Sequence, residues 1–150
     1  MKLQVSSRLA IFAVLELAGA PDKQLSVAEI GEKYSGSSHH LAKVMNILGR
    51  TGLVESVRGV GGGYQFVGNA RRVTLLDIVE LFEDVASTRS PQPEPGDRTA
   101  AGAALLSVLT EIDDNIRATL GSITIATMLK LMERMEVPKA RKKAAAHHRE

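Results

Sequence analysis

Four glycines in five positions, Gly59, Gly61, Gly62 and Gly63, stand between two short β-prone stretches, Val54–Arg58 and Tyr64–Val67. Such a run neither continues a helix nor fills a core, because glycine has poor helix propensity and no side chain to bury. Flanked by β-branched and aromatic residues, it predicts a hairpin with a glycine-rich tip. Most of the remaining chain is patterned for helices. The expectation is therefore a mainly α protein with one small β hairpin.

Three helices are expected before the hairpin. Ser6-Ser7 precede Leu9, Phe12, Ala13, Leu15 and Leu17, predicting a first helix over roughly 6–19 that is buried on two sides. Gly19-Ala20-Pro21-Asp22 supplies turn chemistry. Ser26-Val27-Ala28-Glu29 matches a capping box, in which the serine hydroxyl and the glutamate carboxylate satisfy free N–H groups of the first turn. That second helix runs to about Tyr34. After the turn at Ser35-Gly36, Ser37 or Ser38 caps a third helix, with Leu41, Val44 and Leu48 on one face and Ile47 alongside. Gly52 followed by Leu53 predicts a Schellman-like stop.

Beyond the hairpin, Thr74–Asp84 reads as a helix with Leu75, Ile78, Val79 and Phe82 inward. Pro91, Pro93 and Pro95 bar a helix from Ala86–Gly96, so residues 85–98 are expected to form a flexible loop. From about Thr99, the residues Leu105, Leu109, Ile112, Ile116, Leu120 and Ile123 recur at spacings of four and three, a helix-packing seam. Gly121-Ser122 interrupts it, and Thr124 caps a last helix with Ile125, Met128, Leu129, Met132 and Met135. Pro138 is expected to close that helix, leaving 137–150 as a basic, disordered tail.

Composition narrows the function classes. Aromatic residues make up 3% of the chain and tryptophan is absent, so the core must be built from aliphatic residues and methionine. With no cysteine, disulfides, thiolate catalysis, Cys-ligated zinc and Cys-ligated iron–sulfur clusters are excluded for this chain. The longest mostly apolar run, Leu9–Ala20, contains Glu16 and is too short to span a bilayer of about 30 Å. The N-terminus has no secretion-signal pattern, so a cytoplasmic protein with no membrane partner is expected. Net charge is +2 but uneven. Residues 1–72 carry nine basic against five acidic residues, whereas 73–97 carry one against six. A basic first half is compatible with nucleic-acid binding, and equally with ordinary surface variation.

Three helices followed by a hairpin is the order of a winged helix-turn-helix. The start of the third helix offers Ser37, Ser38, His39, His40 and Lys43 away from its apolar face, with donors and acceptors suited to groove edges and phosphates. Arg58 enters the glycine tip, placed for a minor-groove contact. Each assignment has a plainer rival. His39-His40 are base readers, a solvated helix end, or metal ligands, although adjacent helix positions point about 100° apart and chelate poorly. Arg58 contacts a groove or forms a structural salt bridge. Lys43 and Arg50 contact phosphates or are simply solvated. The seam is a dimer interface or a monomer core, and Met128, Met132 and Met135 pack or line a small-molecule pocket. Asp77, Glu80, Glu83 and Asp84 read as a solvated acidic surface. No nucleophile triad, phosphate loop or metal-ligand spacing is visible, so no catalysis is expected.

Arg58-Gly59-Val60-Gly61-Gly62-Gly63-Tyr64 resembles the R-G-x-x-G-G-Y wing signature of the Rrf-type (IscR/NsrR-like) bacterial transcription regulators. His40–Leu48 is similar to their recognition helix, and Ser122–Ala126 to the segment after their long dimerisation helix. The resemblance covers about residues 1–136. It implies a winged helix-turn-helix over 1–84, dimerisation helices over 99–136, and a homodimer that reads a roughly palindromic promoter operator. On that basis Ser37, Ser38, His39, His40, Lys43, Arg50, Arg58, the tip glycines and Tyr64 are the candidate DNA contacts. The seam from Leu105 to Ile123 is the candidate dimer interface.

The resemblance also implies an iron–sulfur cluster held by three cysteines in the segment corresponding to about 85–104. Some members add an acidic ligand from helix 1 of the partner chain, where this sequence has Arg8. None of those cysteines is present. Either this is a cluster-free branch, or the stretch Ala100–Ala104 conceals replaced ligands. No cofactor is therefore predicted. The expectation is a DNA-binding regulator, most simply a repressor, that uses a small-molecule or protein effector. The alternative is a protein-interaction module that keeps the fold without binding DNA.

Overall fold

A computed structural model describes residues 1–86 and 92–147, with side chains through residue 136. Six helices and one hairpin follow in the order α1 (Val5–Gly19), α2 (Val27–Tyr34), α3 (Ser38–Arg50), β1 (Val54–Val57), β2 (Gly63–Phe66), α4 (Leu75–Val79), α5 (Ala100–Ser122) and α6 (Ile125–His147). Of the predicted loop, residues 87–91 lie outside the described residues, as do residues 148–150 of the predicted tail. Between residues 92 and 99 the chain makes hydrogen-bonded turns that lead into α5, with Asp97 N–H donating to the Glu94 carbonyl and Thr99 N–H to that of Gly96.

α1 is the hub. It buries Leu9, Ala10, Ile11, Ala13, Val14, Leu15 and Leu17, which explains why its apolar residues occupy more than one face. α3 contributes Leu41, Val44, Met45 and Leu48 to the same core, and α4 and α6 add Ile78, Val79 and Ile125. The predicted stops and starts largely hold. Ser37, not Ser38, is the N-cap of α3. Gly52 has φ +78°, and N–H groups of Gly52 and Leu53 bond the carbonyls of Gly49 and Leu48, the paired bonds of a Schellman motif. At α2 the Ser26 hydroxyl accepts from Glu29 N–H. The complete reciprocal capping box is instead at α4, between Thr74 and Asp77.

Two helix boundaries differ from expectation. α4 spans five residues rather than Thr74–Asp84. After Val79 the chain tightens into i→i−3 turns, Leu81 N–H to Ile78 and Phe82 N–H to Val79, and this brings Glu83 back to the start of α1. α6 runs through Pro138 to His147 rather than ending at the proline. A proline removes one backbone donor, and the Lys/Ala/Arg-rich residues that follow are strong helix formers.

The two parts of the chain are joined by backbone. Leu75 N–H donates to Ile123 O, Ile125 N–H to Val73 O (both 2.9 Å) and Ala126 N–H to Ala70 O (2.8 Å). These bonds satisfy free donors at the starts of α4 and α6 and fix where α5 leaves the domain. Among the described residues, no helix is long and apolar enough to cross a membrane.

Candidate nucleic-acid interface

The pair α2–α3 is held onto α1 by a polar and aromatic clamp. Phe12 stacks on Tyr34 with ring centroids 4.7 Å apart, and Arg8 lies 5.4 Å from the centroid of the Phe12 ring. Glu16 accepts from the Tyr34 hydroxyl and from Lys33 at 2.6 Å. Partial burial pushes the Glu16 carboxyl up, but hydrogen bonds from Lys33 and Tyr34, with the Lys33 charge, outweigh it and hold its pKa below the ordinary value. Burial, then the hydrogen bond and charge of Glu16, push the Tyr34 phenol above its own. The connecting turn, Ser35-Gly36-Ser37, has the length of a helix-turn-helix turn. Ser35 takes a left-handed conformation (φ 54°) in it, and a Cβ on Gly36 would press on Leu9.

The N-terminus of α3 emerges from this turn. Ser37, Ser38, His39 and Lys43 are exposed there, and Arg50 is exposed at the far end. His40 differs from the others. It is half-buried, and its Nε2 lies 2.8 Å from Ser6 Oγ of α1, so its ring braces α3 as well as reaching the surface. Nothing local marks Ser6, which stands 34 residues from its partner.

The hairpin is antiparallel with Val54 opposite Phe66 and Val57 opposite Gly63. Its return strand also pairs with the residue ahead of α2. Tyr64 N–H donates to Leu25 O (2.8 Å) and Leu25 N–H to Tyr64 O (3.1 Å). Ser26, the next residue, is the N-cap of α2, so the hairpin and the helix pair are fastened at one point. The tip glycines divide into two kinds. Gly59 (φ +112°) and Gly61 (φ +75°) adopt backbone conformations that side chains resist and face open space. A Cβ on Gly62 would collide with the Val57 carbonyl, and one on Gly63 would lie 2.5 Å from Leu25 O. Gly62, Gly63 and Tyr64, whose side chain packs against the core, therefore have internal structural reasons for their identity. Arg58 is exposed at the base of the tip. Among the described residues the ion pairs are Lys33–Glu16 and Arg117–Glu80, so Lys43, Arg50 and Arg58 carry unpaired charge.

Residues 3–131 match the sequence model of Rrf2, described as an iron-dependent transcriptional regulator. The chain belongs to the Rrf2 family. It is 45% identical over 150 residues to a putative HTH-type transcriptional regulator BadM of Rhodopseudomonas palustris, covering 99% of this chain and 95% of that one. It is 26% identical to the HTH-type transcriptional regulator IscR of Xenorhabdus nematophila, over 91% and 84% of the two chains. Among solved structures, IscR of T. potens superposes with a TM-score of 0.73 at 26% identity over 90% of each chain. CymR of B. subtilis gives the same TM-score at 24% identity, covering 87% of this chain and 98% of that one, a likeness of fold. A mostly helical, winged-helix transcriptional regulator is thus the shared description.

The donor set for the family's iron does not fit in this Rrf2 member. The sequence has no thiolate, and no group of three or more His, Asp or Glu that could hold a metal occurs among the described residues. Three of the four acidic residues have other partners. Asp77 caps α4, Glu80 pairs with Arg117 at 2.5 Å, and Glu83 accepts from Gln4 N–H (2.8 Å) and from the buried Ser7 hydroxyl (2.5 Å). Asp77, Glu80 and Asp84 are exposed, as a solvated surface requires, but that reading missed Glu83, whose contacts to Gln4 and Ser7 span 79 and 76 positions of sequence.

The candidate dimer seam also divides. Ile116, Leu120 and Ile123 pack against the chain's own core, while Leu105 (59%) and Ile112 (48%) are exposed along with Leu106, Val108 and Leu109. Met128 and Met132 pack against the core as expected, but Met135 is exposed.

Proposed function

We propose that the protein is a cytoplasmic, homodimeric, sequence-specific DNA-binding repressor that works without a cysteine-ligated iron–sulfur cluster. The observation that carries the reading is the joint at Leu25–Ser26. It fixes the hairpin with Arg58 relative to α2, and hence to the exposed polar start of α3, as one rigid unit. Ser38, His39 and Lys43 supply groove-edge and phosphate contacts, Arg50 a phosphate contact, and Arg58 a minor-groove contact. The dimer is supported by α5, a 23-residue helix with no buried residue. A helix presenting Leu105, Leu106, Val108 and Ile112 to water needs a second apolar surface, and an identical copy supplies one. Occupying promoter DNA blocks transcription without chemistry, so repression needs no cofactor. The effector is then a small molecule or a partner protein. A cleft of about 350 Å³ between α1 and α6, lined by Leu129, Met132, Glu16 and Lys33 among others, is large enough for a small ligand.

Fluorescence anisotropy against promoter fragments from the protein's own genome, at two salt concentrations, tests the reading. Specific binding that weakens as salt rises is expected. Equal, negligible affinity for every duplex would instead establish a protein-interaction module on this fold.

A further inference from the structure

The wing carries one side chain that neither the core nor the glycine geometry explains. Val60 is fully exposed, although most other strongly exposed large aliphatic residues lie on α5 or at the start of the chain. It occupies the second position of a tight turn closed by Gly62 N–H donating to Gly59 O at 2.9 Å. The third position, Gly61, has φ +75°, as a type II turn requires. Val60 is therefore held at the apex, with a glycine on each side and open space around both. Burial of its methyl groups is worth having only if something dry meets them.

We infer that Val60 is an apolar tip that enters the minor groove ahead of Arg58 and sets a preference for A·T over G·C pairs beneath the wing. The inference rests on the DNA-binding reading. Three features favour the minor groove as the occupant. The tip is only as wide as backbone plus one valine, which suits a groove of about 6 Å. The arginine beside it is attracted by the negative potential of a narrow minor groove. Apolar side chains at such tips contact sugar and base edges or wedge between steps. A G·C pair places the guanine amino group on that surface, where a valine leaves it without a hydrogen-bond partner.

Val60→Thr keeps the shape and replaces a methyl by a hydroxyl, and Val60 packs on nothing whose loss would unfold the protein. With the full-length protein, anisotropy on its best genomic promoter fragment is expected to show about fivefold to tenfold weaker binding for V60T. The salt dependence should be unchanged, because no charge is lost. R58A should instead flatten the plot of log affinity against log salt by about one phosphate contact. Exchanging A·T for G·C pairs at successive positions of the fragment should weaken the wild type at the wing positions and V60T much less. If wild type binds specifically and R58A is impaired while V60T is unaffected on every duplex, the role of Val60 is overturned and the DNA-binding reading stands. If wild type binds no duplex, both fall.

Discussion

α1 and α5 are both rich in aliphatic residues, yet they have opposite fates. The 15 residues of α1 bury eight side chains, counting Ser7, whereas the 23 residues of α5 bury none. α1 is enclosed by α2, α3, α4, α6 and the hairpin. Among the described residues, α5 meets the domain toward its C-terminal end, where Gly121 approaches Leu76, Arg117 pairs with Glu80, and Ile116 and Leu120 pack against the core. The lesson is that apolar content alone does not make a core residue. The first four turns of α5 leave Leu105, Leu106, Val108, Leu109 and Ile112 exposed, and these are the residues that the proposed dimer would cover.

The contrast predicts how the two helices respond to substitution. Leu17→Ala in α1 should lower unfolding free energy by about 2–5 kcal/mol in urea titration, the scale for emptying a fully buried leucine site. An equally exposed-site response, below about 0.5 kcal/mol, would show that α1 is not the hub. L105E combined with I112E should weaken dimerisation by at least about 100-fold, read by analytical ultracentrifugation, because two charges would enter a dry interface. Circular dichroism of that variant should still show a folded winged domain. Loss of the fold would mean that α5 is part of the monomer's core after all. Glu83→Ala should cost about 1–3 kcal/mol, since it leaves the buried Ser7 hydroxyl and the Gln4 N–H without their acceptor.

Much of this architecture was legible in sequence because its signals are local. The hairpin follows from β-prone residues around Gly59–Gly63, the stop of α3 from Gly52-Leu53, and the apolar face of α3 from the spacing of Leu41, Val44 and Leu48. What was hidden depends on distant partners. Nothing near Tyr64 announces that its backbone will pair with Leu25, and nothing near Glu83 announces α1. The division of the seam was equally invisible, because Leu105 and Ile116 obey the same periodicity and only the position of α4 decides which of them finds cover. Of the candidate site, the exposed residues of α3 and Arg58 were readable from type and spacing. The second role of His40, through Ser6, was not.

The smallest effect concerns the outer face of α1, where Glu16 holds α2. Its folded-state pKa is depressed, so its stabilisation is fully present above the unfolded value near 4.5 and is lost as pH falls through the lower folded value. Tyr34 runs the other way. Its pKa is raised, so its contribution is present below 10.0 and is lost as alkali ionises the phenol beside the Glu16 carboxylate. The Lys33 side chain is 61% exposed, so solvent screens the pair and the acid-side loss should be about 0–1 kcal/mol. Glu16→Gln keeps the shape and removes the charge. Between neutral pH and the folded Glu16 value, its stability should fall less steeply than that of wild type, and the difference should shrink in high salt. If both proteins lose stability in parallel on acidification, the Glu16 clamp contributes nothing beyond position. The placement of α2 on α1 would then rest on the Phe12–Tyr34 stack and the apolar contacts beneath it.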